Sequence, residues 1–502
     1  MKISLRALLR DFVPEYEFSD LEITGITSNS RELKPGDVFF AYPGLKADGR
    51  QFLKQALAQG AAALVCEKEG VEIYHDILAE LESQITIIYL LDIPEKLSEI
   101  AARFYDHPSR DMTIVGVTGT NGKTSCTHFI AQVLNATGVR CAVMGTLGNG
   151  VPPELLESQF TTADAIAVQK TLSELRAQKV QVVAMEVSSH GLAQHRIDAV
   201  EFSIAVFTQL SRDHLDYHFS LEEYAAAKER LFHFASLKQV ILNLDDAMGY
   251  HLAEHHEASV DCFGYSLTTP KIAGVKAIIA DQIELKAQGF KVHVQTPWGE
   301  GYFDTPLLGR FNISNLLAVL TVLCVLKQPL AVVLSAFAQI QTVSGRLQHF
   351  GGGLVPQVIV DYAHTPDALE KVLSTLREHC RGKLWCVFGC GGDRDRGKRP
   401  LMAEMAERFS DYIVLTDDNP RSESSNAIAQ EIQQGFSAAA SVKIILDRAS
   451  AIKYAIQNAV LDDMILVAGK GHEEYQIIGN ERLVFSDRKQ VEQELEARAT
   501  EK

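Results

Sequence analysis

Apolar and polar residues fall along this chain in two alternating rhythms. Short, nearly unbroken apolar runs recur at Asp37 to Tyr42, Ala61 to Cys66, Thr86 to Leu91, Met112 to Val117, Val180 to Met185 and Ser203 to Thr208. They return at Val358–Val360, Leu384–Phe388, Tyr412–Leu415, Val442–Ile445 and Met464–Val467. A run apolar on both faces predicts a strand covered on both sides. Between the runs, apolar residues recur at helical spacing in Gln51 to Ala58, Lys96 to Tyr105, Thr124 to Val133 and Leu316 to Leu326. Strand alternating with helix predicts an α/β protein built on mostly parallel sheets. Asp261 to Thr305 breaks the rhythm and reads as short strands joined by turns.

The length of 502 residues exceeds one hydrophobic core and suggests three domains. His107-Pro108-Ser109-Arg110 reads as a linker, and a second change comes near Gly345. The expected domains are 1–108, 109–345 and 346–502. There is no internal repeat and no low-complexity segment.

Charge narrows the function. A net charge of -16 argues against a nucleic-acid partner, which needs a basic face. It leaves room for an anionic ligand held by a local cluster of Arg and Lys. No apolar run approaches the roughly 20 residues that span a bilayer, and Met1 to Arg10 lacks a signal-peptide core. The eight cysteines, Cys66, Cys126, Cys141, Cys262, Cys324, Cys380, Cys386 and Cys390, show no paired spacing. They are expected to be small buried hydrophobes in a reducing cytoplasm.

The clearest chemistry lies at Val117-Thr118-Gly119-Thr120-Asn121-Gly122-Lys123-Thr124-Ser125, between a predicted strand and a predicted helix. Such a loop turns its N–H groups toward one point at the positive end of the helix, where a polyphosphate fits. Lys123 is placed to reach the outer phosphates, and the Thr124 hydroxyl to hold Mg²⁺. The pattern is a shortened phosphate loop, with Val117 where the full pattern has glycine. Its bland alternative is an ordinary strand-to-helix turn.

Other positions are more open. Thr161-Thr162-Ala163-Asp164 starts a helix with hydroxyls at its positive end. Glu186, closing a strand and followed by Val187-Ser188-Ser189-His190-Gly191, suits Mg²⁺ because that cation prefers oxygen ligands; otherwise it is a solvated loop acid. Ser220-Leu221-Glu222-Glu223 has the form of a capping box. The helix it opens places Lys228 on one apolar face with Tyr224, Leu231 and Phe232. Lys228 is then either a snorkelling lysine or a desolvated, neutral, reactive amine, and the residues alone favour the former slightly. Asn312 and Asn315 either cap the helix that follows or contact a base. The turns Thr27 to Arg31 and Gly44 to Arg50 are connections or phosphate and sugar contacts. In the third segment, polar clusters follow strand ends at Asp361-Tyr362-Ala363-His364, Gly389 to Arg399, Asp417 to Arg421 and Gly469 to Glu473. Ligands bind at such ends in open α/β sheets.

Together these motifs resemble the Mur ligases of bacterial cell-wall synthesis along the whole chain. The residues that carry the resemblance are Gly119 to Thr124, Glu186 to Leu192, Asp213-His214-Leu215-Asp216, Asp361 to Asp367 and Gly391 to Arg399. The resemblance implies an N-terminal UDP-binding α/β domain, a central P-loop ATPase domain with a mostly parallel sheet, and a C-terminal Rossmann-like domain that binds the incoming amino acid. It implies that Ser28, Ser30, Leu45, Lys46 and Ala47 meet the UDP end of the substrate. Thr161, Thr162, Ser188, Gln194 and Arg196 would hold its sugar-peptide part. The ATP positions would be Gly119, Thr120, Asn121, Gly122, Lys123, Thr124, Ser125, Asn312, Asn315, Arg346 and His364. Lys228 would be carbamylated to N6-carboxylysine and, with His214, hold a second Mg²⁺, while Thr124 and Glu186 hold the first. Lys123, Lys228, His214 and Glu186 are thus the expected catalytic residues. The chain departs from the family's usual residues at Phe160 and Ala163.

Asp418-Asn419-Pro420-Arg421 resembles the branch of the family that adds meso-2,6-diaminopimelate rather than L-lysine. Diaminopimelate carries a second carboxylate, which a guanidinium grips through two parallel hydrogen bonds. Arg394 and Arg421 supply the charge, and Gly469 and Glu473 would receive the distal amino-acid end. The implied partners are ATP, UDP-N-acetylmuramoyl-L-alanyl-D-glutamate and meso-diaminopimelate, with the protein acting as a cytoplasmic monomer. The rival readings are another ligase of the superfamily, such as a folylpolyglutamate synthase, and a P-loop switch or motor.

Overall fold

A computed structural model describes residues 2–13, 20–44, 47–158, 160–268, 272–286, 289–437 and 441–500. Leu45 and Lys46, two expected UDP contacts, lie outside the described residues. The chain packs into two compact units. One comprises Met1–Gly116, Gly138–Ala205 and Arg230–Lys238, and the other Val117–Thr137, Val206–Glu229 and Gln239–Lys502.

The first unit holds a parallel sheet of Gly25–Thr27, Asp37–Ala41, Ala63–Glu67 and Thr86–Leu90. Successive side chains on a strand face opposite ways. Val38, Phe40, Val65 and Ile88 therefore join one core with Leu97, Ile100, Ala101 and Phe104 of the helix Ile93–Phe104. Phe39, Ala41, Leu64 and Cys66 join another with Leu53, Ala56, Leu78 and Leu81. Burial on both faces explains the unbroken apolar runs. Farther along, Cys141–Gly145 and Val182–Glu186 pair in parallel, and the helix Ala165–Ala177 starts at Asp164, whose Oδ1 accepts from the Ile166 and Ala167 N–H groups at 3.1 and 3.0 Å. Two hydroxyls and a capping carboxylate thus stand together at a helix start.

The second unit holds the helix Lys123–Ala136 and a sheet in which Gln239–Asn243, Asp261–Ser266 and Lys276–Leu285 run parallel. Phe290–Thr296 and Gly299–Thr305 extend it antiparallel. The region expected to form short strands includes one of 10 residues. The helix predicted at Leu316 begins earlier, spanning Arg310–Val325, so Asn312 and Asn315 lie in its first turns. Its N-cap is Gly309, and neither asparagine is the capping residue.

A six-stranded sheet follows in the order Gln348–Gly352, Val355–Asp361, Met464–Ala468, Leu384–Phe388, Tyr412–Leu415 and Val442–Ile444. Its first strand is antiparallel and the other five are parallel. Leu369, Val372, Leu373, Met402, Ala403 and Ile428 pack on one face, and Ala451, Ile452, Ile456, Val491 and Leu495 on the other. The four polar clusters read from the sequence stand at the carboxyl ends of these strands. All eight cysteines are free, and seven are buried. Among the described residues no helix is long and apolar enough to cross a membrane.

Candidate active site

The glycine loop follows the strand Thr113–Thr118 and leads into the helix Lys123–Ala136. Gly119 has a φ of 141°, and a Cβ there would stand 1.9 Å from Thr208 Oγ1, so the close approach of Thr208 requires glycine. Thr208 donates to the carbonyls of Thr118 and Asn121 at 3.1 and 2.5 Å, clamping the loop. The Lys123 ammonium folds back on the loop, 2.8 Å from Gly119 O and 3.0 Å from Thr120 O. Thr124 is buried, and Arg346 Nη2 donates to its hydroxyl at 3.4 Å. Asn121 Nδ2 donates to Asp367 at 3.2 Å. Ser125 is half-buried in the first helical turn.

Beneath the loop lies Lys228. Half of the expected capping box forms: Ser220 Oγ accepts from Glu223 N at 3.1 Å, while Ser220 N donates to His218 O at 2.7 Å. The α-helix is shorter than expected, spanning Leu221–Glu229, so Leu231 and Phe232 fall in a 3₁₀ turn, Arg230–His233. Lys228 is 1 % exposed and does not snorkel. Its Nζ donates to Gly119 O at 3.0 Å and lies 4.3 Å from the centroid of the Tyr224 ring. Burial, reinforced by the positive charge of Lys123, holds its pKa well below that of an ordinary lysine, although Asp213 pulls the other way. The neutral amine is therefore favoured.

Asp213 is a buried carboxylate to which no role was given from the sequence. It lies 3.4 Å from His214 Nε2, 3.7 Å from His364 Nε2 and 4.0 Å from Lys398 Nζ. Burial would raise its pKa, but His214, the hydrogen bond from His364 and the Lys398 ammonium together hold it well below the carboxylate range. The signal was its place beside His214 in the Asp-His-Leu-Asp run. His364 also stacks edge-on against Tyr362 at 4.6 Å, and Tyr362 carries the Arg346 guanidinium 4.6 Å above its ring. Asn312 Nδ2 donates back to Leu308 O at 2.9 Å, and Asn315 Nδ2 donates to Asn312 Oδ1 at 3.2 Å. Of the expected ATP positions, the structure brings Arg346 to the loop through Thr124. It brings Asn315 there through Gly122, where a Cβ would meet Asn315 Oδ1 at 2.7 Å.

In the first unit, Glu186 is 1 % exposed. It is not a solvated loop acid. Its carboxylate accepts from the Thr146 N–H at 2.9 Å and the Thr146 hydroxyl at 3.1 Å. Thr146 in turn lies 3.0 Å from the Thr161 hydroxyl. Thr162 donates to Glu186 O at 3.0 Å and accepts from Ser188 N at 3.0 Å. Arg196 donates to Thr162 O at 2.7 Å and to Gln194 Oε1 at 3.0 Å through Nε. Its guanidinium also stands 5.4 Å from the centroid of the Phe160 ring. The five expected sugar-peptide residues therefore form one connected cluster around Glu186. Tyr42 extends it: burial pushes its hydroxyl pKa up, and Ser28, Asp164 and Arg196 act on it as well. Ser30 Oγ donates to Gln55 Oε1 at 3.3 Å, and Ala47 O accepts from Gly44 N at 2.9 Å. Arg50, in the same turn, is committed to Asp48 at 2.8 Å and to backbone carbonyls.

At the third sheet, Asn419 Nδ2 donates to Glu473 at 2.9 Å, and the buried Lys470 reaches Asn419 Oδ1 at 3.0 Å and Glu473 at 2.9 Å. Asp418 Oδ1 is buried without a hydrogen-bond donor and stands 3.7 Å from Lys470 Nζ. Gly469, at a φ of 115°, brings its backbone beside Asp418. Arg421 follows Pro420 in the left-handed region, with a φ of 52°. Its guanidinium donates through Nη1 to Gly392 O at 2.8 Å and to Asn419 O at 3.4 Å. Arg394 is exposed, with Nη1 on Asp393 O at 3.2 Å. Arg399, fully buried, pairs with Glu423 at 2.8 Å and Glu431 at 2.7 Å and fixes the two loops against each other. Lys470 and Arg399 were legible only as members of polar clusters, because Asn419, which holds Lys470, and Glu423 and Glu431, which hold Arg399, are distant in sequence.

Comparison with known proteins gives the family. Three family models match in order: Mur ligase family, catalytic domain, at residues 22–105; Mur ligase middle domain at 117–323; and Mur ligase, glutamate ligase domain, at 345–471. A UDP-N-acetylmuramoyl-L-alanyl-D-glutamate--2,6-diaminopimelate ligase of Coxiella burnetii is 51% identical over 469 residues, covering 93% of this chain and 95% of its own. One of Pseudomonas aeruginosa is 48% identical over 490 residues, covering 97% and 98%. A solved structure of a ligase of that name superposes with a TM-score of 0.68 at 34% identity, covering 99% of this chain and 100% of its own. With a phosphate loop, a buried lysine beneath it and full-length relatives of this kind, the chain belongs to the Mur ligase family.

Proposed function

We propose that the protein is an ATP-dependent ligase that joins meso-2,6-diaminopimelate to the D-glutamate of UDP-N-acetylmuramoyl-L-alanyl-D-glutamate, in peptidoglycan precursor synthesis. The names of its full-length relatives support the substrates. Within the molecule, the observation that carries the reading is Lys228, a buried amine 3.0 Å from the glycine loop. A nucleotide switch has no use for a neutral amine there. A ligase does, because such an amine takes up CO₂ to become an anionic oxygen ligand.

The donors expected for Mg²⁺ are the Thr124 hydroxyl, the Glu186 carboxylate, His214 and the carbamate on Lys228. The oxygens fit a hard cation, and each of these residues except His214 is buried. When bound, Mg²⁺ offsets charge on the phosphoryl oxygens. Gly119 to Ser125 cradle the phosphates, Lys123 unfolds toward the γ-phosphate, and Asn312, Asn315, Arg346 and His364 frame the nucleotide. The substrate carboxylate attacks the γ-phosphorus, ADP leaves, and an acyl phosphate remains. The diaminopimelate amine then attacks the acyl carbon, loses a proton and expels phosphate. Ser28, Ser30, Leu45, Lys46 and Ala47 receive the UDP end, and Thr161, Thr162, Ser188, Gln194 and Arg196 the sugar-peptide.

At the amino-acid end, Gly469 and Glu473 receive the distal end of diaminopimelate, with Asp418 and Asn419 lining the site. Arg394 and Arg421 take the distal carboxylate. The Nη1 atom of Arg421 braces the loop, and its other edge is the fork offered to that carboxylate. Segments 1–108, 109–345 and 346–502 serve as UDP-substrate, ATP and amino-acid domains. The protein acts as a monomer in the cytoplasm, where its eight free cysteines stay reduced. The test is ADP release with UDP-N-acetylmuramoyl-L-alanyl-D-glutamate, with and without meso-diaminopimelate. Release that requires both substrates is expected, and release without either would overturn the reading.

A further inference from the structure

Arg488 stands at the start of the last helix, Asp487–Thr500, next to a residue with no freedom to move. Asp487 is fully buried and takes two hydrogen bonds of 2.7 Å from the fully buried Arg448. Arg448 also donates to Asp417 O at 3.0 Å and Ala468 O at 2.8 Å, the ends of two strands that carry candidate amino-acid loops. The backbone of Arg488 is thus fixed to the sheet. Its side chain reaches elsewhere. Nη1 donates to Ser344 Oγ at 2.5 Å, and Nη2 to His472 O at 3.4 Å and Glu474 Oε1 at 3.0 Å.

Ser344 opens the segment Ser344-Gly345-Arg346. Gly345 has a φ of 68°, and a Cβ there would stand 2.1 Å from His472 N, so this segment is pressed against the Gly469–Glu473 loop. The next residue, Arg346, lies over Tyr362 and donates to Thr124 of the glycine loop. One guanidinium therefore joins the segment carrying a phosphate-side arginine to the loop carrying Lys470 and Glu473. We propose that Arg488 is a positioning residue: it pins Ser344–Arg346 to the Gly469–Glu473 loop, so that Arg346 is set for the nucleotide and is coupled to the amino-acid loop. This rests on the reading that Arg346 serves the ATP site.

The test compares Arg488→Ala, Arg488→Lys, Ser344→Ala and the double variant Arg488→Ala/Ser344→Ala. Calorimetry measures binding of a non-hydrolysable ATP analogue with Mg²⁺, and separately of the UDP-linked substrate. A hydrogen bond from a charged group controls affinity by about tenfold. Arg488→Ala is therefore expected to weaken analogue binding about tenfold and leave binding of the UDP-linked substrate unchanged. Arg488→Lys, which keeps the charge and one donor nitrogen, is expected to recover most of the loss. Ser344→Ala shifts the same way, and the double variant is no weaker than Arg488→Ala, because Arg488→Ala already removes the Ser344 bond. Should Arg488→Ala fail to fold, Ser344→Ala decides, since it removes one hydroxyl. Unchanged analogue binding in Ser344→Ala and Arg488→Ala, additive losses in the double variant, or equal losses for both ligands would overturn the inference. A wild type that fails to bind the analogue would overturn the ATP reading itself, and this inference with it.

Discussion

Two lysines of this protein are almost completely removed from water, and their surroundings differ. Lys470, at the third sheet, sits 2.9 Å from Glu473 and 3.7 Å from Asp418, so its charge is matched where it is buried. Lys228, under the glycine loop, meets a backbone carbonyl and a tyrosine ring, and Lys123 repels it. The difference shows that burial alone does not decide what a lysine does. A buried lysine with carboxylates is a structural cation that orders its loop. A buried lysine with no carboxylate in contact, where burial and Lys123 outweigh the pull of Asp213, is pushed toward a free amine, which is a nucleophile.

The largest expected effects break the phosphate end. Lys123→Ala and Lys228→Ala should each lower kcat by about a thousandfold or more, the scale of losing charge stabilisation in phosphoryl transfer. Circular dichroism should show an intact fold in both. Short carboxylic acids should restore part of the activity of Lys228→Ala and none of that of Lys123→Ala. Wild-type turnover in either variant would break the assignment.

The amino-acid end should break differently, in specificity. When lysine replaces diaminopimelate, the Arg421 guanidinium loses its carboxylate, a cost of about 3–5 kcal/mol or a factor of hundreds to thousands. The wild type should strongly prefer diaminopimelate in kcat/KM, and Arg421→Ala should erase most of that preference while sparing ATP binding. An unchanged preference would assign Arg421 to the brace it makes on Gly392 O and nothing more.

Stability sharpens the comparison directly. Lys470→Met leaves Glu473 and Asp418 without their cation and should cost about 3–5 kcal/mol in denaturant unfolding. Lys228→Met removes a poorly solvated amine and should be neutral or stabilising. Equal losses would mean that the two sites are alike.

A smaller effect appears in acid. Hydrogen bonds from Arg399 are the main cause that lowers the Glu423 pKa from 4.5 to about 2. A carboxylate depressed in the folded state stabilises the protein above its unfolded pKa, and that stability is lost as pH falls through the folded value. The window is therefore pH 4.5 to 2, worth about 2 kcal/mol once solvent screening is allowed for. Glu423→Gln should flatten that limb of the unfolding profile.

Much of this was legible in the sequence because it depends on local pattern. The glycine loop, the strand ending at Glu186, the Ser220 cap and the strand ends of the third sheet all follow from apolar periodicity and turn chemistry within a few residues. Lys228 was legible as lying on an apolar face, but its state was not, since Gly119 and Lys123 lie about a hundred residues away along the chain. Asp213 looked like one acid among several, because its buried cluster joins it to His364 and Lys398, which are remote in sequence. The Ser344–Arg488 hydrogen bond is of the same kind. Distant partners leave no periodic trace.

The contrast between the two lysines is tested most directly by carbon-13 NMR of the protein equilibrated with ¹³C-bicarbonate at neutral pH. One protein carbamate resonance is expected in the wild type. It should be absent from Lys228→Ala and retained in Lys470→Ala. No resonance at saturating bicarbonate, or one that survives the loss of Lys228, would contradict the account.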